Sequence, residues 1–340
     1  MRAILVFVGL LLPACLLPAQ PRTLDIYWVE VEGGAATLIV TPSGGSLLVD
    51  TGYPGDRDAR RIYDVATKQA GLKKIDNLLI THYHTDHVGG VGVLAKLIPI
   101  EKFYDHGEAV STRDPVDAQN WETYKTVAAG KRTTLKPGDQ IPLQGVTIQV
   151  VSGGGELLAQ PLKGAGGNNP YCQDAVQKPE DKSENGQSVG FLLTDGRFKF
   201  LDVADLTWSR EMQLACPVNK IGTVTLFQAS HHGFFGNLSG APPFVWAVDP
   251  QVVVVNNGPQ KGWLAPAYET TKKIPGLEDI WQGHLSLATD KDHNVDEKMI
   301  ANLEPTDDCK GNWIKASVAP DGKFTITNGR NHFSKTYTAR

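Results

Sequence analysis

Three histidines and an aspartate fall within six residues, His82-Tyr83-His84-Thr85-Asp86-His87. Imidazole nitrogens and carboxylate oxygens are donors that suit Zn2+, and also Mn2+ or Fe2+. The group follows the apolar run at 75–80 and precedes Val88-Gly89-Gly90, so it reads as a strand end, a loop and a tight entry into a helix. Alternate residues on a pleated backbone point the same way, which sets His82 beside His84. The loop then turns Asp86 and His87 toward a second position close by. The spacing points to two adjacent metal positions and to hydrolysis by activated water. A chance group of surface histidines is the simpler alternative, but three of the nine histidines in one six-residue window argue against it.

Further motifs follow in order. Residues 46–52 form an apolar stretch ending in Asp50-Thr51-Gly52. Asn185-Gly186-Gln187-Ser188 precedes a second apolar run, and Phe200-Leu201-Asp202-Val203-Ala204-Asp205 ends in a carboxylate. Ala229-Ser230-His231-His232-Gly233 ends another strand-like stretch. With the six-residue cluster, this order resembles the metallo-β-lactamase fold superfamily over residues 24–258. The His-His-Gly form and the Asn185 segment are most similar to the hydrolase domains of ComEC-type competence proteins and their free-standing secreted relatives. The resemblance implies an α/β chain folded as a four-layer αββα sandwich, and a dinuclear, zinc-dependent metallo-hydrolase using a metal-bound hydroxide.

On that reading His82 and His84 hold one ion, while Asp86, His87 and His231 hold the other. A bridging ligand must be a carboxylate, because its two oxygens reach two cations; Asp205 is preferred over Asp202. Asp50 buttresses the metal loop. Asp86 also serves in proton transfer, and His232 is a donor behind the ligands or a substrate contact. Many members of the superfamily supply a third histidine to the first ion before the bridging aspartate. No histidine lies between His106 and His231, and Asn185 stands at the corresponding place. An amide oxygen is a weaker zinc ligand than imidazole, so the first ion is expected to be the more loosely held. Of the other histidines, His106, His284, His293 and His332, His284 is the best candidate for a place near the site.

The elements that must position these residues can be read from patterning. Strands are expected at 24–32, 36–41 and 46–50, the last two forming a hairpin. A helix over 57–70 stops at Gly71, and a second spans 90–98. Further strands are read at 100–104, 189–194, 198–201, 224–229 and 251–256, with a helix at 208–215 and a terminal hairpin at 313–327. Residues 152–187 are glycine-rich and poor in apolar residues. A stretch of that length without regular structure reads as a functional rim or a mobile lid.

Composition adds limits. The net charge of −4 disfavours tight non-specific nucleic-acid binding, though metals can neutralise one phosphate locally. The His-His-Gly form and the Asn185 segment, through the resemblance they carry, imply a small-molecule or nucleic-acid phosphodiester as substrate, with a lactone, carboxylic ester or β-lactam as the alternative. A non-catalytic metal-binding protein is the reading from another class. No stable protein partner is implied. Residues 1–19 read as a cleaved export signal, with a periplasmic or extracellular mature chain over 20–340 as one hydrolase domain. A lipid anchor at Cys15 is the competing reading. No other segment is apolar enough to span a bilayer. Cys172, Cys216 and Cys309 then permit one disulfide and one free thiol, without a pairing fixed by the sequence.

Overall fold

The computed structural model describes residues 23–110, 114–304 and 309–340. The expected leader at 1–19, including Cys15, lies outside them. The chain opens with an antiparallel meander of β1 (Leu24–Trp28), β2 (Thr37–Val40) and β3 (Ser46–Val49). Helix α1 (Asp56–Asp64), continued by a wider turn at Val65–Gln69, carries it to β4 (Ile75–Leu79), parallel to β3. The short helices α2 (Thr85–Val88) and α3 (Val91–Leu97) lead to β5 (Ile100–Asp105), and α4 (Pro115–Val127) to β6 (Arg132–Thr134).

A second sheet starts with β7 (Thr147–Gly153), β8 (Glu156–Leu157), β9 (Gly190–Asp195) and β10 (Phe198–Asp202). Its parallel part alternates with helices: α5 (Trp208–Ala215), β11 (Leu226–Gln228), α6 (Pro242–Val248), β12 (Val252–Val255), α7 (Ala265–Thr271), β13 (Asp279–His284) and β14 (Ile300–Asn302). The chain then returns to the first sheet, where β15 (Ile314–Val318), β16 (Lys323–Asn328) and β17 (Ser334–Thr338) add antiparallel strands beside β1.

Side-chain alternation builds four layers from these two sheets. Leu24, Ile26 and Trp28 of β1 join Phe200, Val252 and Val254 in a core between the sheets. Tyr27 and Leu38 face the other way and pack with Ile62, Leu94 and Tyr124 of α1, α3 and α4. Val253 and Val255 likewise turn outward against Met212 and Phe244 of α5 and α6. The architecture is an αββα sandwich. Among the described residues no helix is long and apolar enough to cross a membrane.

The stretch read as a structureless rim is short of regular elements but tied down. A disulfide joins Cys172 to Cys216 at the end of α5, and Cys309 is a buried free thiol. Arg210 of α5 reaches Glu180 at 2.8 Å, and the Trp208 indole donates to the Val176 carbonyl at 3.0 Å. Glu184 accepts from the backbone N–H groups of Tyr83 and Val110 and pairs with His106 at 2.7 Å. That carboxylate fastens the end of the segment to the metal loop.

Candidate metal centre

Every residue of the centre sits just past the carboxyl end of a strand. Asp50 follows β3, residues 81–87 follow β4, Asp205 follows β10, and His231 and His232 follow β11. Open α/β sheets place ligands at this edge, because loops leaving neighbouring parallel strands converge there. The metal loop fits against the loop after β3 with no room to spare. A Cβ on Gly90 would lie 2.1 Å from the Thr51 carbonyl oxygen, so only glycine allows this approach.

The geometry separates into two donor sets that share one carboxylate. A ligand atom from each of Asp86, His87, Asp205 and His232 lies within 4.8 Å of the others. Within that set His87 Nε2 is 3.2 Å from His232 Nε2 and 3.3 Å from both Asp86 Oδ2 and Asp205 Oδ1. His232 Nε2 is 3.2 Å from Asp86 Oδ2 and 3.4 Å from Asp205 Oδ1. The other set faces Asp205 Oδ2. His231 Nε2 lies 3.3 Å and His82 Nε2 3.8 Å from that oxygen, and His84 Nδ1 is 3.0 Å from His82 Nε2.

This grouping of side chains differs from the expected one at the histidine pair. His231 was grouped with Asp86 and His87, but His232 stands there instead, and His231 joins His82 and His84. The reason is local backbone. Residues 230–233 are a tight turn, and His231 and His232 both adopt left-handed φ values of 51° and 54°. Reasoning from strand alternation fails where the strand has already ended at Gln228. Bonds from His231 N to Ala204 O at 2.8 Å and Phe234 N to His231 O at 2.8 Å hold this costly conformation.

His231 Nε2 and His82 Nε2 thereby face the same Asp205 oxygen, Oδ2. Asn185 lies in a single turn at Asn185–Gln187. Its side-chain oxygen is buried without a hydrogen-bond partner, and among the described residues it shares no bond with the cluster. Asp202, the competitor for the bridge, turns back to accept from Ala204 N at 2.9 Å. Burial pushes its carboxyl up to about 7. His284 is buried in β13, where, among the described residues, its ring hydrogen-bonds only with the Leu285 carbonyl at 3.4 Å; His106 is taken up by Glu184. His293 pairs with Asp290, and His332 is exposed.

Groups behind the ligands fix their rings. Asp50 Oδ2 accepts from His87 Nδ1 at 2.7 Å and from the Thr81 hydroxyl at 2.7 Å, while Oδ1 accepts from Thr81 N at 2.8 Å. Donation from Nδ1 leaves the lone pair of Nε2 facing inward, the arrangement that orients histidine toward a metal. Ser239 Oγ plays the same part for His231 Nδ1 at 3.2 Å.

The electrostatics fit a cation. Burial opposes the charges of Asp86 and Asp205, yet the surrounding histidines hold both carboxyls well below their ordinary range. Burial likewise disfavours a charged His87, but Asp205, Asp86 and Asp50 hold it well above its ordinary value. Burial pushes His82 well down and His231 to about 4, which keeps both rings neutral with one nitrogen lone pair free. Converging lone pairs and buried carboxylates in two shared sets are a donor arrangement made for divalent ions.

Residues 29–172 match the family model described as the metallo-beta-lactamase superfamily. That match covers less than half of the chain. The match contains Asp50 and the His82–His87 cluster; Asp205, His231 and His232 lie beyond it and reach the centre through the second sheet. The chain is similar to the ComE operon protein 3 of Bacillus subtilis, 21% identical over 71% of this chain and 29% of that protein. It is also similar to a UPF0173 metal-dependent hydrolase of Cupriavidus necator, 29% identical over 61% of this chain and 64% of that one. It thus spans under two thirds of both relatives. The Bacillus subtilis metallo-beta-lactamase fold protein YhfI superposes over 76% of this chain and 96% of its own, at 12% identity and a TM-score of 0.47.

Two residues at the centre carry no mark in the sequence. The ammonium of Lys261 touches Asp86 Oδ2 and lies 3.2 Å from the Tyr53 hydroxyl. Lys261 sits in a polar Gly-Pro-Gln-Lys-Gly loop after β12, the composition of an ordinary surface turn.

Proposed function

We propose that this chain is a metal-dependent hydrolase with two divalent ions, zinc in the first instance, acting on phosphodiesters. The observation that carries this reading is Asp205, whose two oxygens face different histidine sets. Adjacent ion positions joined by one carboxylate suit in-line displacement at phosphorus, since attacking and leaving oxygens are both accommodated. When bound, such ions supply Lewis acidity and lower the pKa of a coordinated water. The chain's own residues do the rest. Asp205 holds the two sets in register, and Asp50 and Ser239 keep His87 and His231 in the tautomers that present Nε2. Asp86 Oδ2, between His87, His232 and Lys261, accepts the proton of the attacking water and can return it to the leaving oxygen. Similarity to the ComE operon protein 3 supports a ComEC-like assignment.

Export to an oxidising compartment is part of the proposal. It is supported by the Cys172–Cys216 disulfide and by the apolar run after Arg2. The net charge of −4 favours a small diester over long DNA. The test is a side-by-side assay of metal-loaded protein on bis-p-nitrophenyl phosphate, DNA, lactones and a chromogenic β-lactam. Diester turnover that falls at least about 100-fold in Asp86→Asn supports the reading. Strong lactone or β-lactam turnover without diesterase activity overturns the substrate class.

A further inference from the structure

Lys261 is built into its place rather than left at the surface. Its carbonyl accepts from Gly258 N at 2.8 Å, closing a tight turn. Next to it Gly262, at φ 80°, packs so close to His232 that a Cβ would lie 2.1 Å from the His232 carbonyl oxygen. Trp263 N donates to that same carbonyl at 2.8 Å. The stem of Lys261 lies against Gly33, where an added Cβ would come within 2.9 Å of the Lys261 Cβ. The loop is therefore locked onto the histidine turn, and the side chain can reach only the Asp86 edge of the centre. There the ammonium meets Asp86 and the Tyr53 hydroxyl, and 28% of the Lys261 side chain stays open to solvent.

We propose that Lys261 and Tyr53 form an anion-binding subsite that grips a phosphoryl oxygen of the substrate beside the Asp86–His87–His232 set. The Asp86 oxygen facing Lys261 also faces His87 and His232, so the ammonium and a metal ion compete for it. An ion in that set frees the ammonium for an incoming anion, with the Tyr53 hydroxyl as a second donor at 3.2 Å from it. Charge-assisted hydrogen bonds of this kind are short and strong, and they discriminate an anionic oxygen from a neutral carbonyl. The inference deepens the hydrolytic reading above by assigning the subsite that selects an anionic substrate.

The test uses inorganic phosphate as the probe, with Lys261→Met, Lys261→Arg and Tyr53→Phe in the full-length protein. Calorimetric titration of the metal-loaded proteins should show phosphate affinity falling at least about tenfold in Lys261→Met, the effect of losing one charge-assisted hydrogen bond. Lys261→Arg should stay within a few-fold of the parent. Tyr53→Phe should show a smaller loss. Metal titration of the apoprotein should show no weakening in Lys261→Met, because a competing cation has been removed. The ratio of kcat/KM for bis-p-nitrophenyl phosphate to that for p-nitrophenyl acetate should drop by a similar factor, through KM. Phosphate affinity that is unchanged in Lys261→Met overturns the proposal, as does a loss of phosphate binding that merely tracks a loss of metal. Dependence of phosphate binding on Lys261 without any diester turnover upholds the subsite and sinks the diesterase reading alone.

Discussion

Replacing Asp50 by asparagine should loosen one ion and leave the other in place. Asp50 is buried and touches no ion position itself; it receives three hydrogen bonds, from His87 Nδ1, the Thr81 hydroxyl and Thr81 N. Its φ of 61° is left-handed, a conformation asparagine tolerates, so the exchange changes hydrogen bonding and charge rather than backbone. An amide cannot reproduce the pattern. With its oxygen toward Thr81 N, the NH2 group faces His87 Nδ1, and the imidazole must move its proton to Nε2, closing the lone pair that points inward. Flipped, the NH2 group opposes Thr81 N–H. Either way one charge-assisted bond is lost, about 1.5–3 kcal/mol. At about 1.4 kcal/mol per tenfold, that is roughly ten- to hundredfold in affinity. The loss should fall on the Asp86–His87–His232 set. Competition of the apoprotein against a chromogenic chelator reads the two affinities, and thermal unfolding of the metal-free protein reports any folding defect separately. Unchanged binding of both ions, or equal losses at both, would refute the argument.

Three other outcomes follow from the same geometry. His231→Ala should release mainly the ion of the His82–His84 set, and His232→Ala mainly the other; metal analysis showing the same ion lost from both would undo the division. Burial raises Glu30 to about 8 and Glu211 to about 7, from ordinary values near 4.5. The folded chain then keeps protons that the unfolded chain has released, so the stability these two groups contribute to the metal-free protein should fall as pH rises from about 4.5 through 8. Glu30→Gln should flatten that slope in denaturant unfolding, and a slope equal to the parent's would contradict the assignment. Ala204, between the two carboxylates of its loop, sits at φ 50°. Ala204→Gly should relieve roughly 1 kcal/mol of strain, seen as a higher Tm, and a lower Tm would count against it.

The metal loop was legible because its chemistry is local. Six consecutive residues bring His82, His84, Asp86 and His87 together at a strand end, and no distant part of the chain has to be placed first. The layering was legible for a similar reason. Alternation in β1 and the unbroken valines of β12 mark strands covered on one or both faces, and helices must cover what the sheets leave apolar. Helix α4 was not legible, since among its buried residues only Trp121 and Tyr124 carry an apolar surface, and Asn120 sits beside them.

Tertiary structure alone decided which histidine faces which oxygen of Asp205. His231 and His232 are neighbours, and their side chains diverge only because both residues take left-handed backbone in a turn fixed by Ala204 and Phe234. The same turn brings His231 beside Asp205 Oδ2, a placement that no inspection of residues 106–231 could supply. Lys261 and Tyr53 are 208 residues apart and meet only when two loops from opposite sheets close on Asp86. Sequence spacing specifies ligands held within one loop, because covalent geometry fixes their reach. Contacts between loops depend on how the two sheets dock, and that is settled by the shared core rather than by any motif.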